Sequence, residues 1–324
     1  MGVMIDGKWT TDEQASALTY EDGRFVRAPS VLRHWVTPDG SPGPTGEGGF
    51  AAEPGRYHLF VAFGCPWAHR TLIFRKLKGL EDAISVSVAL PRRTDQGWVF
   101  DAASETYAER LLGKHALWEI YADGGPGYTG RVTVPVLYDK QSGRIVSNES
   151  ADIIRMLNSA FDAVGANGTD YYPEPLRPEI DALNERIYST LNNGVYRAGF
   201  AMTQAAYEEA CDEVFETLDF LDARLAERRY LCGSVQTEAD WRLFPTLVRF
   251  DVAYHYAFKC NLRRLSDYEH LWPYTRDLYQ TGSIRDTVHL DLYKQGYFSL
   301  SEHRNPLGIV PKGPLVDFEA PHGR

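Results

Sequence analysis

The spacing of apolar residues changes character along the chain. Residues 1–55 are rich in Gly, Pro, Asp and Thr with little periodicity, and 37–49 is loop by composition. This stretch predicts an extended segment lying over a domain. At Arg56 the pattern tightens: Tyr57 to Phe63 is a short apolar, aromatic run of the kind a buried strand shows. Gly64-Cys65-Pro66 interrupts it, and from Pro66 onward Trp67, Leu72, Ile73, Leu77 and Leu80 fall at roughly helical intervals. Pro66 suits the first helical turn, where its missing N–H costs nothing. Ile84 to Leu90 alternates and predicts a second strand.

Residues 91–130 are rich in Gly, Tyr and charge and look like an insertion, with a short helix near Ser104 to Leu112. Thr133 to Tyr138 and Arg144 to Ser147 predict a hairpin turning at Lys140 to Gly143, and Asn148-Glu149-Ser150 leads into a helix from Ala151 to about Ser159. Pro135 lacks a ladder donor and belongs at an edge or a bend. The order strand, helix, strand, insertion, strand, strand, helix predicts an α/β unit of about a hundred residues. Residues 161–175 form a linker, and the remainder is predicted helical over about 176–199, 207–228, 239–258 and 270–279. Thr237-Glu-Ala-Asp240 is an N-cap box for the third of these. From about Leu290 the tail returns to Gly, Pro and aromatic residues. The expected domains are therefore 1–55, an extended N-terminal segment; 56–162, with its insertion at about 91–130; and 163–324, all-helical with a C-terminal tail.

The length of 324 residues and 44% hydrophobic content allow two buried cores. A formal net charge of −10 gives no electrostatic reason to expect nucleic acid or an anionic membrane as partner. No run approaches the roughly 20 apolar residues of a membrane helix, and the first ten residues do not read as a secretory signal. The cysteines, Cys65, Cys211, Cys232 and Cys260, are scattered, with neither C-x-x-C nor H-x-x-x-H spacing. A disulfide framework and a zinc site are both disfavoured, and the chain reads as cytoplasmic.

One of these cysteines has distinctive surroundings. Cys65 falls where a strand gives way to a helix, so the helix dipole and the first-turn N–H groups favour its thiolate. No resolving cysteine follows it, His69 and Ala68 standing near that place. Such a thiolate forms a mixed disulfide with an external thiol. His69 and Arg70 lie close enough in sequence to add positive charge. Cys211, Cys232 and Cys260 carry no motif and read as structural.

Cys-Pro at a strand-to-helix turn, a later Val-Pro, Glu-Ser opening a helix and an all-helical second half together resemble a glutathione transferase. Cys65-Pro-Trp-Ala-His-Arg70 more narrowly resembles the xi class, the glutathionyl-hydroquinone reductases. Supporting segments are Gly97-Trp98, Arg131 to Leu137, Ser147 to Ser150, Asn192 to Tyr196 and Asn305 to Pro311. The resemblance implies an α/β thioredoxin-like N-terminal domain plus an all-α C-terminal domain, glutathione as co-substrate, no metal, and an isologous homodimer. It implies Cys65 as nucleophile, with Glu149 pairing with the ammonium group of glutathione and the helix start at Ser150 taking its γ-glutamyl carboxylate. Val134 would meet the cysteinyl part through its backbone, and Trp98 and Arg131 would also contact glutathione. Tyr196 and Tyr297 would act on an aromatic glutathionyl-hydroquinone by stacking, hydrogen bonding or protonation. The tail departs from the family pattern: Gly296-Tyr297-Phe298-Ser299-Leu300-Ser301 lacks a second tyrosine and the histidines. Two other readings remain open on these residues: an omega-like thioltransferase or dehydroascorbate reductase, and a non-catalytic transferase-like module.

Overall fold

The computed structural model describes residues 2–302 and 304–324, with the backbone alone at Ala15 and Ser16. Two compact units divide the chain: Met1–Ala17 with Pro29–Thr169, and Leu18–Ala28 with Asp170–Arg324. The segment 1–55 is thus shared between them. No helix among the described residues is long and apolar enough to cross a membrane.

The first unit begins with a small hairpin, β1 (Val3–Ile5) and β2 (Lys8–Thr10), followed by a single helical turn α1 (Glu13–Ser16). Its centre is a four-stranded sheet of β5 (Tyr57–Val61), β6 (Ile84–Val88), β7 (Val136–Asp139) and β8 (Arg144–Ser147), in the order β6-β5-β7-β8. β5 and β6 are parallel, while β7 runs antiparallel to both β5 and β8. Every β5 residue is buried, which is why its sequence shows an unbroken apolar run rather than alternation. α2 (Pro66–Leu77) crosses over between the parallel strands and packs against α4 (Ser150–Ser159). Pro135 stands just before β7, where its missing N–H breaks no ladder bond. The extension covers the free edge of β8: His34 N–H donates to Val146 O at 2.8 Å and Asn148 N–H to Leu32 O at 3.0 Å.

The insertion differs from expectation. No helix forms at Ser104 to Leu112. The Glu109 carboxylate there collects the amides of Leu111, Leu112 and Lys114 at 2.7–2.9 Å, which holds the backbone in a loop. The helix of this region is α3 (Leu117–Gly124), opened by Glu119 reaching back to the Ala116 N–H at 2.8 Å.

The second unit starts with the hairpin β3 (Thr19–Glu21) and β4 (Arg24–Val26) and continues with α5 (Arg177–Arg186), α6 (Gly194–Phe200), α7 (Gln204–Glu227), α8 (Glu238–Arg249), α9 (His255–Ala257), α10 (Leu271–Tyr279) and α11 (Leu290–Tyr297). α11 corrects the expectation of an irregular tail at that point. Two of the expected long helices are interrupted by wider, π-type turns at Ile187–Asn192 and Phe250–Tyr254. The N-cap box is present: Asp240 accepts from the Thr237 N–H at 2.7 Å, and its carboxylate also takes the Leu231 N–H at 2.9 Å and the Tyr274 hydroxyl at 2.7 Å. A fully buried carboxylate is tolerated because each of these donors is equally in need of an acceptor.

His58, on β5, is buried with Nδ1 2.7 Å from Ser85 Oγ and Nε2 2.9 Å from Ser87 Oγ. Burial, with smaller help from Lys140 and Arg75, pushes its pKa down to about 4. The unfolded chain protonates this imidazole near pH ~6.5, well before the folded one does. Stability from His58 is therefore complete above that pH and lost as pH falls toward 4, by about 3 kcal/mol in all. Urea unfolding at pH 7.5 and 4.5 should show His58→Asn losing less stability on acidification than the parent chain, by about that amount.

Candidate active site

β5 delivers the chain to a tight turn in which the Cys65 N–H donates to Ala62 O at 3.0 Å. Cys65 is the N-cap of α2, with φ −80° and ψ 121°, and Pro66 is the first helical residue. The first helical bond runs from the His69 N–H to Cys65 O at 3.0 Å. The sulfur therefore sits at the positive end of a twelve-residue helix, where an anion is favoured. Cys65 Sγ lies 3.4 Å from Val134 O, beside the cis Val134–Pro135 bond. The bend at Val134 that leads into β7 thus also positions the thiol.

Cys65 is partly exposed, whereas Cys211, Cys232 and Cys260 are buried. Burial raises the pKa of all three, that of Cys232 to about 11. Desolvation is the largest cause of the lowered reactivity at these three sulfurs.

His69 and Arg70 point inward and are almost fully buried. The Arg70 guanidinium lies 4.7 Å over the Trp67 ring and 3.5 Å from Ser150 Oγ, linking the start of α2 to the start of α4. Ser150 is the first residue of α4 and Glu149 its N-cap, and Glu149 Oε1 accepts from the Ala151 N–H at 3.0 Å. Glu149 so caps the helix while remaining partly exposed. Trp98 is also partly exposed, with the Arg93 guanidinium 5.3 Å over its ring. The Arg131 guanidinium donates to Ala17 O at 2.6 Å, a partner supplied by the N-terminal segment.

In the second unit, the Tyr196 hydroxyl is 2.7 Å from that of Tyr297, which is 3.0 Å from that of Tyr254. Tyr196 lies on α6 just after one π-type turn, and Tyr254 ends the other. Burial pushes the pKa of both Tyr254 and Tyr297 well above the usual phenol value, so both remain proton donors at neutral pH. Phe200 and Phe258 pack around Tyr196, the first stacked at 6.1 Å and the second edge-on at 5.2 Å. Phe298, which follows Tyr297 in the altered tail, is buried with its ring 5.6 Å from that of Tyr256. Sequence reasoning missed Tyr254. Among 19 tyrosines it carries no spacing or flanking motif, and only the wide turn marks it.

The model of the glutathione S-transferase N-terminal domain matches residues 64–160, and that of the C-terminal domain matches 204–277. The chain is 52% identical to glutathionyl-hydroquinone reductase YqjG of Escherichia coli, over 100% of this chain and 98% of that protein. The glutathione-bound structure of YqjG superimposes with a TM-score of 0.91 at 50% identity, covering 100% of this chain and 99% of that one. Glutathionyl-hydroquinone reductase PcpF of Sphingobium chlorophenolicum is 49% identical over 97% of this chain and 96% of its own. The chain belongs to the glutathionyl-hydroquinone reductases. It is a glutathione-dependent enzyme with the glutathione-transferase fold. The xi-class transferase of Natrialba magadii extends the same likeness, with a TM-score of 0.89 at 44% identity over 100% of this chain and 96% of that one.

In this reductase, iodoacetamide at pH 7 should add a single label to the folded protein, on Cys65, and none to Cys65→Ser. Intact-mass measurement with peptide mapping checks this, and labelling at Cys211, Cys232 or Cys260 at a comparable rate would contradict the burial argument.

Proposed function

We propose that the protein reduces glutathionyl-hydroquinones to hydroquinones through a mixed disulfide on Cys65. The Cys65 thiolate attacks the substrate's glutathionyl sulfur. The bond from that sulfur to the ring carbon breaks, and its electron pair goes to the ring, which takes a proton. Hydroquinone leaves, and Cys65 remains joined to glutathione. The thiolate of a second glutathione then attacks the glutathionyl sulfur, oxidised glutathione departs and the Cys65 thiolate is regenerated. The scheme is ping-pong in character.

The observation that carries this reading is a partly exposed cysteine at a helix N-cap, in a chain that matches named glutathionyl-hydroquinone reductases along its whole length. A transferase that activates glutathione with a hydroxyl has no need of this nucleophile. In our reading Glu149 and the Ser150 helix start hold the γ-glutamyl end of glutathione, Val134 the cysteinyl part, and Trp98 and Arg131 the rest. Tyr196 and Tyr297 hydrogen-bond the hydroquinone oxygen and supply the proton the ring takes. An isologous homodimer and a cytoplasmic location complete the reading.

Turnover of glutathionyl-menadione should fall at least about a hundredfold in Cys65→Ala; full activity in that variant would rule the mechanism out. Parallel assay on hydroxyethyl disulfide separates this reaction from an omega-like thioltransferase, which would prefer the disulfide. In Glu149→Ala the KM for glutathione should rise about tenfold with kcat little changed, the signature of a lost ammonium contact.

A further inference from the structure

We infer that the aromatic cluster of the second unit takes the oxygen of its ligand as a phenolate anion, with Arg249 as the positioning residue behind the tyrosine hydroxyls. The inference rests on the proposed reaction only in naming the ligand as a hydroquinone.

Arg249, the last residue of α8, is fully buried. Its guanidinium lies 3.6 Å over the ring of Tyr293, and its Nη1 donates to Pro245 O at 2.9 Å. A fully buried cation is among the most costly groups a fold can hold. Tyr293 lies one helical turn before Tyr297 on α11, so the same stack that seats Arg249 fixes the helix presenting Tyr297. The positive charge of Arg249 acts directly on the phenols of Tyr254, Tyr293 and Tyr297.

Two further arginines approach the cluster. Arg27, from the segment after β4, stacks 4.8 Å over the Tyr196 ring, and its Nε donates to Asn193 Oδ1, at the start of α6, at 2.7 Å. Arg304 lies 4.3 Å over Phe200. Of the other groups nearby, burial and then Arg249 lower the pKa of His289, which leaves it neutral near pH 7. Glu209 is engaged by Arg24 at 2.6 Å and Arg197 at 3.2 Å. A chain of net charge −10 thus brings three arginines to one aromatic cluster.

The hydroxyls complete the pattern. The hydroxyls of Tyr254, Tyr297 and Tyr196 are linked at 3.0 and 2.7 Å, and either oxygen of each pair can donate; the inferred order runs from Tyr254 through Tyr297 to Tyr196, with Tyr196 donating to the ligand. Phenols that resist ionisation, backed by a cation, stabilise an oxyanion in the same way as preorganised donors in other enzymes. Phe200 and Phe258 supply apolar faces for the attached ring. A ligand that brings its own negative oxygen gains from the arginine field, and its neutral form does not.

The test uses the full chain with 4-nitrophenol, whose phenolate is read by its visible absorbance, titrated across the pH range of its ionisation. The wild type should bind phenolate about tenfold more tightly than phenol, the shift expected of a nearby opposite charge. Arg249→Met should bring the two affinities within about twofold of each other, and Arg249→Lys should keep most of the preference. Arg27→Met, altered at a half-buried position, reads the same quantity and should lower the preference in part, so the test survives if Arg249→Met fails to fold. Equal binding of phenol and phenolate by the wild type overturns the inference, as does a preference undiminished in both methionine variants. Turnover of glutathionyl-menadione is followed separately: a chain that turns over yet binds both forms equally loses this inference alone, and one with the preference but without turnover loses the proposed reaction alone.

Discussion

The first unit depends on how one helix begins. β5 is buried over its whole length and must end before α2 can turn back across the sheet, so the two meet in a turn of three residues between Val61 and Cys65. Pro66 fixes the first helical φ and gives up an N–H that no intrahelical acceptor would have used. The N-cap then falls on Cys65, whose side chain is left at the mouth of the helix. Val134 O, 3.4 Å from the sulfur, comes from the segment leading into β7, the strand that pairs with β5 on the side away from β6. A change at either β5 or β7 would therefore be felt at the sulfur, even without touching it.

The second unit solves a different problem, that of bringing polar groups into an aromatic interior. α6 and α11 and the wide turn at Phe250–Tyr254 each contribute one phenol, and each hydroxyl finds another hydroxyl. The wide turns matter because a regular helix would advance these side chains at a fixed angle. An i→i+5 bond such as Asn193 N–H to Tyr188 O re-phases the helix just before Tyr196.

Much of this was legible in the chain because its causes are local. The apolar run of β5, the proline after Cys65 and the Thr237–Asp240 cap each follow from rules spanning a few residues. The insertion was misread because Glu109 organises a loop through side-chain bonds to amides at 111, 112 and 114, a competitor to helix that leaves no periodicity. The strands before residue 55 are three residues long, too short for alternation to register. Cys65, Val134 and the Glu149–Ser150 helix start could be singled out because each stands in a motif at an element boundary. Tyr254, Arg249 and Arg27 could not, because their significance comes from partners far away in sequence.

The early chain also has a consequence for how the molecule can be taken apart. Residues up to Ala17 pack with the first unit, Leu18–Ala28 with the second, and the chain returns to the first at Pro29 before leaving it at Thr169. The backbone therefore passes between the units three times, so no single peptide-bond cleavage yields two whole units. A protease nick at the linker would leave the halves tethered through residues 17–29, and recombination that exchanged only the helical half would strand the Leu18–Ala28 hairpin with an unfamiliar partner. Inheritance of the two units as one piece follows from this threading alone.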